Sequence, residues 1–245
     1  MFNRPHTTVV LAMSADGKIA DFMRSPARFG SQTDKMHLQQ RIAAADAVLF
    51  GAGTLRAYNT TLTISNPKLL QQREQRGQPL QPIHIVVSKS AQIDPESRFF
   101  SQPVPRWLLT SSMGADVWKQ CQVIDNSSQI TFDKILVLET RMGKIDIAAA
   151  LTHLATLGIA HLAVLGGGIL VGEMMELDLI DELWLTICPL ILGGKTAPTP
   201  VEGQGFLSQL APRLELLTIN QVEQEVFLNY RVRKRQGSRE QGSRE

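Results

Sequence analysis

Apolar residues recur along this 245-residue chain in two rhythms. Short β-branched or aliphatic runs, bounded by Gly, Pro, Asp or Ser, predict buried strands at 7–13 (TTVVLAM), 46–51 (DAVLFG), 83–88 (IHIVVS) and 106–112 (RWLLTSS). A similar run covers 160–168 (AHLAVLGGG), and shorter ones fall at 122–126 (QVIDN) and 134–139 (KILVLE). Helical spacing takes over elsewhere. In 34–45 (DKMHLQQRIAAA), Met36, Leu38, Ile42 and Ala43 fall near helical spacing, with Ser31 or Thr33 as the cap. Helices are also expected from 52–58 (AGTLRAY), 68–76, 145–158 (ending on Gly158) and 169–178 (ILVGEMMELD). The run 180–194 (IDELWLTICPLILGG) reads as a strand broken at Pro189, and 213–233 alternates as a closing antiparallel hairpin.

Strand-then-helix units followed by antiparallel strands predict a mixed α/β sheet with right-handed crossovers. No linker divides it, so one domain is expected through residue 235. Residues 236–245 repeat QGSRE without an apolar residue and are expected to be disordered. The formal charge of +2 is uneven. From Arg231 onward six Lys/Arg face two Glu, which leaves the body before it at −2 and argues against a nucleic-acid surface there. Cys121 and Cys188 make neither a metal spacing nor a disulfide framework, and the five histidines make no metal spacing either. The first apolar run is too short for a secretory leader, and no run approaches the roughly 20 residues of a membrane span. A cytoplasmic protein is expected.

Two strand-to-helix junctions are built of glycine: Gly51 and Gly53 with Thr54, and Gly166-Gly167-Gly168. Each has two readings, a tight turn with close packing or a place where a ligand touches backbone. Neither matches a known phosphate motif. After Gly168 a dinucleotide fingerprint would need glycine at Val171, and the late GGKT (193–196) would need one at Pro189. Two such junctions in one sheet nonetheless favour a dinucleotide, whose pyrophosphate needs several backbone donors.

The segments VVLAMSADGKIAD, ADAVLFGAGTLRAY and LGGGILVGEMMELDLIDELWLTICPLILGG resemble, in order and spacing, the riboflavin-biosynthesis reductase family, in its stand-alone form. That resemblance implies a dihydrofolate reductase-like fold: a mixed, mostly parallel sheet with a C-terminal antiparallel hairpin and helices on both faces. It implies NADPH reduction of a ribosylaminopyrimidine 5′-phosphate to its ribityl form, and a homodimer. It places Ala12, Gly51, Gly53, Thr54, Gly166, Gly167, Gly168 and Leu170 along the cofactor. Ser88, Lys89 and Ser90 would meet its 2′-phosphate. Met13, Asp16, Ser31, Lys35, Arg41 and Tyr58 would face the substrate, although Asp16 in SADG is also ordinary turn chemistry and Lys35 and Arg41 also suit a solvated helix face. Three positions depart from the family pattern. Val10 stands at the usual Lys, Tyr58 at the usual Asp and Leu165 at the usual Glu. These lie on the substrate side, which leaves a pterin or another heterocycle as an alternative substrate, and a catalytically retired nucleotide-binding protein as a further reading.

Overall fold

The computed structural model describes residues 3–124 and 131–234. Its strands are β1 (His6–Ser14), β2 (Ala47–Gly51), β3 (Ile83–Val87), β4 (Arg106–Thr110), β5 (Lys134–Val137), β6 (His161–Val164), β7 (Glu182–Cys188), β8 (Arg213–Val222) and β9 (Glu225–Arg233). The helices are α1 (Gln32–Ala44), α2 (Ala52–Tyr58), α3 (Pro67–Gln75), α4 (Ser112–Ile124), α5 (Ile147–Thr156) and α6 (Gly168–Glu176). One nine-stranded sheet runs β5-β4-β3-β2-β6-β1-β7-β9-β8. Every pairing from β5 to β7 is parallel, and β9 and β8 close it antiparallel. This is the mixed α/β sheet that the chain's rhythm predicts.

The period of two in each strand sorts side chains into two cores. Ala47 and Leu49 of β2, Ile85 of β3, Leu162 and Val164 of β6 and Val9 of β1 pack on one face, against α5 and α6. Val48 and Phe50, Val86, Leu108 and Ala163 point the other way, toward α1, α2, α3 and an aromatic cluster around Trp118 of α4. Helix α5 shows why it forms. Asp146 accepts a hydrogen bond from the Ala149 amide at 2.9 Å as its N-cap, and Ile147, Ala150, Leu151 and Leu154 are all buried on one stripe. Each buried leucine there contributes about 1.5–3 kcal/mol.

The strand expected at 122–126 is not one. Residues 122–124 end α4, and 125 and 126 lie outside the described residues. A short Val-Ile run cannot separate a period of two from one of 3.6. Trp118, one turn earlier and 1% exposed, anchors that segment as a helix through Phe100 and Phe132. Helix α4 itself begins at Ser112, inside the expected fourth strand. β7 stops at Cys188, before Pro189. The tail expected to be disordered, 236–245, also lies outside the described residues. Among the described residues no helix is long and apolar enough to cross a membrane.

Candidate active site

The carboxyl ends of β2, β3 and β6 open into a cleft of about 940 Å³. This is where a parallel sheet presents backbone and loops to a ligand. Both glycine junctions meet here. Gly51 donates its amide to the Gly166 carbonyl at 3.0 Å, which locks the end of β2 to the end of β6. Gly166 has φ +106°, a conformation open to glycine, and the Gly166–Gly167 peptide is cis. Gly53 faces open space, with nothing within 4 Å of where a Cβ would stand. Gly167 lies opposite the Thr54 hydroxyl, 3.5 Å from its own absent Cβ. Helices α2 and α6 start on Gly51 and Gly167 without a side-chain cap, so the first amides of each are free to serve a ligand.

The third glycine of the triplet does something else. A Cβ on Gly168 would overlap the Thr199 carbonyl, and one on Gly172, a turn later, would overlap the Glu202 carbonyl. The 199–202 segment lies directly on that face of α6, fastened by the Glu202 amide to the Gly168 carbonyl at 3.0 Å. Gly168 and Leu170 still line the cleft, but the bare backbone of Gly168 and Gly172 is a packing requirement.

Ser88, Lys89 and Ser90 form the far wall. The turn is held by its backbone. Ser88 donates to the Leu109 carbonyl at 3.0 Å, and the Lys89 carbonyl accepts from the Ser111 hydroxyl at 2.8 Å and the Thr110 hydroxyl at 3.3 Å. Gly114 is bare because that carbonyl fills its Cβ position. The Lys89 side chain is left exposed. Hydrogen bonds from the Ser112 hydroxyl and amide, with the charge of Lys89 behind them, hold the nearby Glu139 carboxyl below its usual range.

Of the residues assigned to the substrate side, Tyr58 is in the cleft wall. Its hydroxyl donates to the Ala27 carbonyl at 2.9 Å, and burial raises its pKa. The others lie elsewhere. Met13 and, from the cofactor set, Ala12 pair with Ile187 and Thr186 inside the sheet, outside the cleft lining. Asp16 accepts from the Ser14 hydroxyl at 2.6 Å and from the Leu192 and Gly193 amides at 3.1 and 2.7 Å. Those bonds, Ser14 first, lower it to about 2, so the turn reading describes it. Ser31 caps α1 and donates to Glu225 at 2.5 Å. Lys35 is exposed on α1. Arg41 sits at the opposite end of the sheet, beside Thr8 and Trp184. Val10 is 6% exposed, and Leu165 packs against the α1–α3 core.

The sequence reading missed Arg24, Arg56, Glu173 and Glu202, which also line the cleft. Arg24 and Glu202 form an ion pair at 3.2 Å between segments that no local pattern connects. It also missed Asp34, which accepts from Thr186. Burial, with Glu225 adding to it, raises the pKa of Asp34.

The RibD C-terminal domain family matches residues 5–228 of this chain. The chain belongs to that family. Within it, the chain is 28% identical over 206 residues to the 2,5-diamino-6-ribosylamino-4(3H)-pyrimidinone 5′-phosphate reductase of Archaeoglobus fulgidus, covering 84% of this chain and 90% of that one. It is 28% identical over 226 residues to the riboflavin biosynthesis protein RibD of Bacillus amyloliquefaciens, of which it spans 56%. A crystal structure of a pyrimidine reductase-like protein from Corynebacterium diphtheriae superposes over 95% of this chain and 94% of that one, with TM-score 0.78 at 23% identity. That likeness shows a shared fold. For a RibD C-terminal domain, the two glycine junctions and the Ser-Lys-Ser turn are the parts that converge on one cleft.

Proposed function

We propose that this chain is a reductase of a ribosylaminopyrimidine 5′-phosphate, the activity named for its archaeal relative, and that NADPH is its reductant. The observation that carries the reading is the union of both glycine junctions with Lys89 in one cleft. The groups present fit a phosphorylated dinucleotide. Gly53 leaves room for backbone contact, the uncapped first turn of α6 offers amides to the pyrophosphate, and Ser88, Lys89 and Ser90 offer two hydroxyls and a cation to a 2′-phosphate. A dinucleotide held there would bring hydride-transfer chemistry to the cleft; the chain's own work is to hold, orient and exclude water.

At the substrate end the polar groups are Tyr58, with Asp34 in electrostatic reach of it, and the guanidinium groups of Arg24 and Arg56. The arginines suit the substrate phosphate. Val10 and Leu165, both committed to packing, favour a second reading, in which the same hydride chemistry serves another heterocycle. A homodimer belongs to the proposal. Leu214, Leu216 and Ile219 of β8 are 43%, 50% and 66% exposed on the outermost strand, an apolar surface that a second copy would cover. The setting is cytoplasmic.

The test is NADPH oxidation on adding the ribosylaminopyrimidine phosphate, in its deaminated and non-deaminated forms. Turnover of either supports the pathway role. NADPH binding without turnover of either points to another heterocycle or to a retired nucleotide-binding protein, and absence of NADPH binding ends the NADPH assignment.

A further inference from the structure

A second recess, of about 250 Å³, lies at the other end of the sheet and shares no lining residue with the cleft. It is framed by His6 and Thr8 at the start of β1, His161 at the start of β6, Glu182 and Trp184 on β7, and Arg41 in the last turn of α1. His6 and His161 face each other across the β1–β6 pairing, with ring centroids 6.1 Å apart. The Arg41 guanidinium stacks on Trp184, 4.5 Å from the ring centroid.

Arg41 is the anomaly. Its Nε is withdrawn from solvent with no hydrogen-bond partner, and it enters none of the salt bridges among the described residues. A half-buried guanidinium without a hydrogen-bonded anion is expensive, and stacking on an aromatic ring offsets only part of that cost. Glu182 acts on it through charge alone, with no ion pair at contact distance between them. Arg4 and Asp181 are joined to each other at 2.7 Å, and Asp46 accepts from the Ala160 and His161 amides. The Glu182 carboxylate accepts from the Trp184 indole N–H at 3.4 Å. The recess therefore combines one guanidinium whose buried Nε has no partner, two imidazoles and one carboxylate with acceptor capacity to spare.

We propose that this recess is a ligand site separate from the reductase cleft, taking a small oxyanion that still carries a proton: inorganic phosphate or the phosphate of a phosphomonoester. Arg41 and the imidazoles donate to the phosphoryl oxygens, Trp184 backs the guanidinium, and Glu182 accepts the P–OH proton. A fully deprotonated oxyanion of the same shape, such as sulfate, meets Glu182 as a repulsive carboxylate.

The experiment is a titration of the full chain with inorganic phosphate, and separately with ribose 5-phosphate, in a phosphate-free buffer at constant ionic strength. Tryptophan fluorescence and thermal stabilisation are the readouts. A saturable response to either is expected, and the tighter of the two identifies the source of the phosphate. Sulfate should bind at least tenfold more weakly, and Glu182→Gln should remove that difference. Arg41→Gln should weaken phosphate at least tenfold while NADPH binding in the cleft stays unchanged. Trp184→Phe should silence the fluorescence change but keep the thermal one. His6→Gln with His161→Gln, both at exposed strand starts, repeats the test if Arg41→Gln does not fold. No saturable response to either phosphate, or responses indifferent to these substitutions, would overturn the proposal; sulfate binding as well as phosphate would overturn the role of Glu182.

Discussion

Gly53 and Gly172 are both bare backbone in short helices beside the cleft, yet the structure asks opposite things of them. At Gly172 a new Cβ would stand inside contact distance of the Glu202 carbonyl, a backbone atom that cannot swing away. Overpacking of this kind costs about 1–3 kcal/mol. The closeness of the overlap puts it at the top of that range, and replacing glycine in a helix returns about 1 kcal/mol. Gly172→Ala should therefore destabilise by about 2 kcal/mol, which lowers the melting temperature by roughly 4–8 °C for a chain of this size. At Gly53 nothing stands within 4 Å, so Gly53→Ala should leave stability unchanged or raise it by up to ~1 kcal/mol. Its methyl group projects into the cleft, where it would hold a phosphate off the backbone. Loss of one charge-assisted hydrogen bond, about 1.5–3 kcal/mol, is roughly a ten- to hundredfold loss of NADPH affinity. Thermal unfolding and NADPH titration of the two variants check the pair. Gly53→Ala binding NADPH like the wild type would refute the phosphate contact, and Gly172→Ala melting with the wild type would refute the packing of 199–202 on α6.

Lys89→Glu should weaken NADPH at least tenfold and spare NADH, read by parallel titrations; equal effects on both would show that Lys89 does not meet the 2′-phosphate. Leu216→Lys with Ile219→Lys should convert a dimer to a monomer by light scattering at micromolar concentration, while a wild type that already scatters as 27.1 kDa removes the dimer. Asp34→Asn should stabilise the protein at neutral pH. Burial, assisted by Glu225, raises the Asp34 pKa, so its charged form is the one the fold disfavours. The protonated form is fully tolerated below the unfolded value of about 4, and the penalty grows as pH rises through the raised folded value. The advantage of the variant should therefore vanish below about pH 4, and a constant advantage across the range would mean that Asp34 is not the group responsible.

Most elements were legible locally, because a β-branched run closed by glycine or a leucine stripe closed by a cap carries its own boundary. The pair of glycine junctions was legible for the same reason. Gly51, Gly53 and Gly166 lie where buried strands turn into helices, and that handover shows within a few residues. What the sequence left open is set by partners far along the chain. Strand order puts β6 between β2 and β1, and only that pairing carries Gly51 to Gly166. Gly168 and Gly172 are bare because of a segment 30 residues later. Asp16 and Ser31, each a reasonable ligand by type, are consumed by Leu192 and Gly193 and by Glu225, 176 to 194 positions away. Lys35 and Arg41 share one helix, but its axis runs along the sheet, so Arg41 is carried to the end opposite the cleft. Helical spacing records which residues share a face. The end of the sheet they reach is decided by packing, through contacts that have no local signature.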